Sequence, residues 1–181
     1  MRPTRSSALL AIMLGLLAAP LPLIAQACTA NGSPATCNRT GSVTMTAGRV
    51  VLLQVSAGST TLTPPTPTDF DNGFNATTGP VLTVSANAAW TLHLRASSAL
   101  WTATNTSPGA PARTTKPAGD LKWSKTSNGV FSALTTTDVN LVTGAATASN
   151  VTSLYFQTLY NWTLDTPGNY SLSVVLTLTS P

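Results

Sequence analysis

The chain has no glutamate, one histidine and two cysteines, and charged residues fill only 8% of its 181 positions. Typical domains carry about 25% charge. Each shortage closes off some chemistry. Acid–base catalysis needs titratable groups held near one another, and the whole carboxylate stock is Asp69, Asp71, Asp120, Asp138 and Asp165. A serine–histidine–aspartate triad would have to use His93. That residue alternates away from the apolar set in Trp90-Thr91-Leu92-His93-Leu94, and no Gly-x-Ser-x-Gly elbow accompanies it. One histidine and two cysteines cannot close a four-ligand zinc site. Asp69-Phe70-Asp71-Asn72-Gly73 gathers oxygen-bearing side chains. It lacks the spacing and distal glutamate of a calcium loop, and reads as an Asx-rich turn. Phosphate-cradling glycine loops and dinucleotide fingerprints are missing. The expectation is a non-enzymatic protein with no metal and no cofactor.

Long apolar runs are also scarce, apart from one at the start. Arg2 and Arg5 precede the run Ala8 to Leu17, and Ala25 and Ala27 stand at −3 and −1 of a cut before Cys28. This is the grammar of a cleaved secretory signal over residues 1–27. Pro20 and Pro22 interrupt the stretch, which falls short of the ~20 apolar residues of a spanning helix. The expected mature chain, 28–181, has no membrane span and is secreted, periplasmic or held at the cell surface. Cys28 has two readings. It could carry a lipid, but Ala25 and Gln26 fit a lipoprotein site poorly. Pairing with Cys37 leaves no odd thiol, and in an oxidising compartment it is the favoured reading. Closing that loop would constrain the unfolded chain by roughly 2–3 kcal/mol.

Basic residues are few as well. The formal charge of +4 falls to +2 once Arg2 and Arg5 leave with the signal. No basic stripe interleaves with aromatics, so nucleic acid is not an expected partner.

What is present is threonine and serine, 50 residues together. Threonine is β-branched and suits a pleated, half-exposed surface. Apolar residues recur with period two, the mark of a strand with one buried face. Val51, Leu53 and Val55 do so, as do Leu82 and Val84, and Trp90, Leu92 and Leu94. Leu121 and Trp123 follow, then Leu154, Phe156, Tyr160, Trp162 and Leu164 along one segment. Tyr170, Leu172, Val174, Leu176 and Leu178 make the cleanest alternation, expected as one long central strand. Asn128-Gly129 signals a type I′ hairpin, and Pro167-Gly168 another turn. Two Pro-rich loops are expected, Pro64 to Gly79 and Asn105 to Gly119.

The expected fold is all-β: a single β-sandwich, Ig-like or related, of about seven to nine strands over residues 28–181. A barrel is the alternative. Trp90, Trp123 and Trp162 alternate with leucines and read as core. Trp101, beside the second Pro-rich loop, and Tyr155, on the opposite face of its strand, are the candidates for exposed ligand-binding aromatics.

Two Trp-x-Leu triplets frame the domain, Trp90-Thr91-Leu92 and Trp162-Thr163-Leu164. AGRVVLLQVS, then Asp69-Phe70, then VLTVSANAAWTLHLRAS, and finally LYNWTLDTP follow in order. This arrangement resembles the WxL-type surface domains of Gram-positive bacteria, β-rich modules that associate non-covalently with peptidoglycan. The chain departs from that pattern by continuing through Asn169 to Thr179 after the second motif. The resemblance implies that Trp90, Leu92, Trp162 and Leu164 are motif residues and that peptidoglycan or another cell-surface glycan is the partner. The competing expectation is a self-associating subunit of a surface fibre, resting on the C-terminal alternation as a strand suited to strand addition. A glycan hydrolase drawing on an Asp pair is the third and weakest.

Overall fold

Period-two segments become strands wherever a neighbouring strand takes up their backbone groups. The computed structural model describes residues 30–38, 41–105 and 111–181. It divides into one unit running to Thr46 and a second spanning Ala47–Pro181. The described residues of the first unit carry no helix or strand. Residues 1–27 and Cys28 lie outside the described residues, so the signal and the Cys28–Cys37 pairing are not part of this description. No described cysteine is free.

The described residues of the second unit form ten strands: β1 (Val51–Val55), β2 (Phe74–Ala86), β3 (Trp90–Ala96), β4 (Thr102–Asn105), β5 (Leu121–Ser124), β6 (Ser132–Ala133), β7 (Val139–Gly144), β8 (Thr147–Leu159), β9 (Gly168–Ser171) and β10 (Val174–Thr179). They form a five-stranded sheet ordered β1-β2-β8-β5-β6, a three-stranded sheet β10-β3-β7 and a two-stranded ribbon β4-β9. The strand pairings that build them are antiparallel. The fold is all-β, with ten strands where seven to nine were expected.

Both larger sheets feed one core. Leu82 and Val84 of β2, Leu121 of β5 and Leu154 and Phe156 of β8 join Trp90, Leu92 and Leu94 of β3 and Leu141 of β7. β3 follows its sequence pattern, burying Trp90, Leu92, Leu94 and Ala96 while Thr91, His93 and Arg95 stay half-exposed. Gly144 packs so close to Trp90 that a Cβ there would meet its ring at 2.6 Å. The Trp90 indole donates to Ala145 O at 2.9 Å, so the largest core side chain leaves no polar atom unpaired.

Three expectations need correcting. The alternation Tyr170 to Leu178 is not one central strand. β9 pairs with β4 and β10 with β3, and the chain changes partner at Leu172-Ser173. β10 lies at a sheet edge, and its apolar residues are half-buried. A continuous period of two cannot reveal such a change, because both strands keep the same face inward. Second, Asn128-Gly129 makes no type I′ turn. That turn needs positive φ at both residues, and neither has it. β5 and β6 still pair, but through a wider connection over 125–131 in which Gly129 N–H donates to Thr126 O.

Third, the loop expected from Pro64 contains a short helix, α1 (Pro67–Asn72). Its start carries a capping box. Asp69 N–H donates to Thr66 Oγ1, and Thr66 N–H donates to Asp69 Oδ2 at 2.7 Å. Pro67 has no N–H to leave unsatisfied in the first turn. Gly73 closes the helix at φ 78°, the left-handed conformation that glycine adopts without Cβ strain.

Candidate functional site

Tyr160 and Trp162 continue the alternation of β8, yet β8 ends at Leu159. Asn161 and Asp165 explain the break. Asn161 Oδ1 accepts from Thr163 N–H at 2.9 Å and Leu164 N–H at 3.2 Å. Asp165 Oδ2 accepts from Asn161 N–H at 2.9 Å, while Asp165 N–H donates to Asn161 O. Asn and Asp side chains that bond nearby backbone compete with a ladder and wind the chain into a turn. Trp162 and Leu164, expected in the core, are therefore lifted to the surface with 59% and 51% exposure.

The turn brings Trp162 against α1. Its ring stacks on Phe70 with centroids 4.5 Å apart and planes at 26°. Its indole N–H donates to Asp71 Oδ1 at 3.0 Å. Tyr160 lies 5.4 Å from Phe70 on the same cluster. One face of Trp162 is thus occupied by Phe70, and an indole held by a hydrogen bond has few orientations left. Asp69, which caps α1, also accepts from Asn75 Nδ2 at 3.2 Å. The Thr66 hydrogen bonds hold its carboxyl below the usual value of 3.8. Tyr160 goes the other way, raised above 10.0 chiefly by burial and further by the Asp69 and Asp165 charges.

Beneath this surface sits a charged cluster. Lys116 is 2% exposed. Its ammonium contacts Asp165 Oδ1 at 3.0 Å and Asp120 Oδ2 at 3.3 Å, and donates to Leu159 O at 2.8 Å. Arg113 Nη1 bridges the same two carboxylates, at 2.9 Å to Asp165 and 3.2 Å to Asp120. Two cations and two anions cancel, as buried charge must. The Tyr160 ring lies 5.5 Å from the ammonium. The Tyr170 hydroxyl accepts from Arg113 N–H and donates to Thr166 O at 2.6 Å. The second Pro-rich loop is thereby tied, through Arg113 and Lys116, to the turn that presents Trp162.

The other sequence candidates fall elsewhere. Trp101, expected at the surface, is buried at 6% exposure, its indole donating to Pro117 O at 3.0 Å. A tryptophan beside a long loop can still be an anchor when that loop folds back over it, as Trp101 N–H bonded to Lys116 O shows. Tyr155 is half-buried and lines a cleft of about 120 Å³ with Ala76, Thr77, Thr78, Ser127 and Phe131. Pockets for small ligands run to ~300–1,000 Å³. Trp90 and Leu92, the first motif, are core. Among the described residues no group of three or more His, Cys, Asp or Glu could hold a metal ion.

Sequence reasoning did not find the four-charge cluster. The available signal was the spacing Lys116-x-x-x-Asp120 in a chain so poor in charge. Phe70 and Asp71 were read as turn residues, and only the folded chain sets them beside Trp162. A scan of protein-family models and a search of curated proteins found no match to this chain.

Proposed function

We propose that this protein is an exported, non-catalytic module that binds a cell-wall polymer, with peptidoglycan the favoured ligand, through the Trp162 surface. The observation that carries the reading is an exposed indole stacked on Phe70 and fixed by Asp71. The C–H face of a pyranose ring is apolar and packs on an indole face, and a ring already oriented loses little entropy on binding. Leu164, two residues on in the same turn, is also exposed. We read the two larger sheets as the layers of a β-sandwich, with the signal at 1–27 and the Cys28–Cys37 disulfide preceding it. The likeness to WxL-type domains supports the same reading, since its second motif and its Asp69-Phe70 segment meet at this surface.

The non-catalytic reading is supported by the engagement of all five carboxylates. Asp69 caps α1, Asp71 holds Trp162, Asp138 pairs with Arg95, and Asp120 and Asp165 neutralise Lys116 and Arg113.

Co-sedimentation of residues 28–181 with insoluble peptidoglycan, against chitin and cellulose, tests the proposal. Saturable pelleting with peptidoglycan that Trp162→Ala abolishes supports it. No pelleting with any polymer sinks it.

One observation favours a fibre subunit as the second reading. β1 is an edge strand whose Val51, Leu52 and Val55 are all exposed. An open apolar trough lies along Val50, Leu52, Ala86, Ala146 and Ala148. Exposed apolar edges are templates for strand addition. Concentration-dependent mass in sedimentation velocity would favour this reading over the first.

A further inference from the structure

The ammonium of Lys116 and the carboxyl of Asp165 meet inside the protein with a second carboxyl, Asp120, and two fixed donors around them. We propose that Lys116 and Asp165 condense into an intramolecular isopeptide bond, with Asp120 carrying the protons. The proposal is independent of what the Trp162 surface binds.

The geometry supplies each part. Lys116 is 2% exposed, and its Nζ lies 3.0 Å from Asp165 Oδ1. Arg113 Nη1 sits 2.9 Å from that oxygen, placed to stabilise the negative charge that develops there when a nucleophile adds to Cγ. The N–H of Asn161 holds the other oxygen, Oδ2, at 2.9 Å and fixes the plane of the carboxyl group. Asp120 Oδ2 lies 3.3 Å from Nζ, within reach of its protons. Nucleophile and carboxyl are held together by the fold, which replaces a bimolecular encounter by an effectively unimolecular one.

The step balances without another reagent. Asp120 takes a proton from the Lys116 ammonium, and the freed amine adds to Cγ of Asp165. The tetrahedral centre loses Oδ2 as water, which carries away two protons that began on Nζ and were relayed through Asp120. A C–N bond forms, a C–O bond breaks, and nothing is oxidised or reduced. One cation and one anion vanish together. Arg113 and Asp120 remain as a neutral pair, and the new amide N–H keeps Leu159 O, now 2.8 Å from Nζ, as an acceptor.

Such a bond has a structural use. Both cysteines, Cys28 and Cys37, precede the β unit that begins at Ala47. No disulfide can form within Ala47–Pro181, so a covalent tie there must use other side chains. This one joins positions 49 residues apart and fastens the second Pro-rich loop to the turn bearing Trp162.

Intact mass of the purified, reduced and denatured chain tests the proposal. The wild type is expected to be lighter than its own sequence by one water. Proteolysis should yield a branched fragment joining the Lys116 and Asp165 segments. Lys116→Arg, which keeps the charge but removes the amine, should carry its full sequence mass, as should Asp120→Asn. A wild-type chain at full mass overturns the proposal and leaves a buried ion-pair cluster. Loss of water in Asp120→Asn would overturn the part given to Asp120.

Discussion

Trp90-Thr91-Leu92 lies within β3, where Trp90 and Leu92 are buried in the core. Trp162-Thr163-Leu164 has the same three residues and follows the end of β8, with Trp162 and Leu164 at the surface. The triplet does not decide the difference. His93 and Arg95 continue the alternation after the first triplet, and a partner strand lies on each side, β10 and β7. The second triplet is bracketed by Asn161 and Asp165, whose side chains take the backbone N–H groups that a ladder would need. The lesson is that a short motif acquires its role from the hydrogen bonds of its flanks.

That contrast can be broken by mutation. The largest effect expected is from Trp90→Ala, which opens a cavity beside Gly144 and should cost about 3–5 kcal/mol in denaturant unfolding. Trp162→Ala loses one stacked ring and one exposed hydrogen bond, worth about 1 kcal/mol. Equal losses would mean that the two triplets are both structural.

Asp165→Ala should match Trp90→Ala in size. It leaves the buried Lys116 and Arg113 charges with Asp120 alone and should cost about 3–5 kcal/mol, the usual effect of leaving buried charge unpaired. It also frees Asn161 N–H, so the emission attributed to Trp162, taken as the difference from Trp162→Phe, should shift towards that of a solvated indole. An unchanged emission would show that the flank does not set the exposed motif.

On the proposed activity, Trp162→Ala should remove polymer pelleting, whereas Trp162→Phe keeps a stacking face but loses the Asp71 hydrogen bond and should retain part of it. Tyr155→Ala should leave pelleting unchanged, because its cleft is small. Loss in the Tyr155 variant alone would move the site to that cleft.

The smallest effect concerns pH. Asp69 titrates below 3.8 when its Thr66 hydrogen bonds are made. Its contribution to α1 is present above the unfolded value and is lost as pH falls through the folded one. Acid titration should therefore loosen the Phe70–Trp162 stack below about pH 3.8, and Asp69→Asn should remove that step from the Trp162 emission.

Much of the fold was legible because period two and partner strand agreed. β3 and the buried part of β8 read directly, since Leu154, Phe156 and Thr158 alternate inward as their spacing implies. α1 is legible too, although its Pro-rich composition suggests a loop. Thr66, Pro67, Asp69 and Gly73 spell a cap, a first-turn proline and a left-handed stop within a few residues, and six helical residues are too short for an apolar period to emerge. The Trp162 surface was half legible. The triplet stands out, but the alternation runs unbroken through Asn161, and period two alone gives no sign of the backbone bonds that Asn161 and Asp165 make.

By itself the sequence determined the all-β class and the inward faces of the central strands. Those follow from local periodicity and β-branched composition, which act residue by residue. Only the tertiary structure decided that the C-terminal alternation divides between two sheets, that Trp101 is an anchor and Trp162 a surface, and that Arg113, Lys116, Asp120 and Asp165 converge. Each depends on which distant segment arrives to accept a hydrogen bond or a charge. That information is held in pairings between residues far apart in the chain, where no local pattern records it.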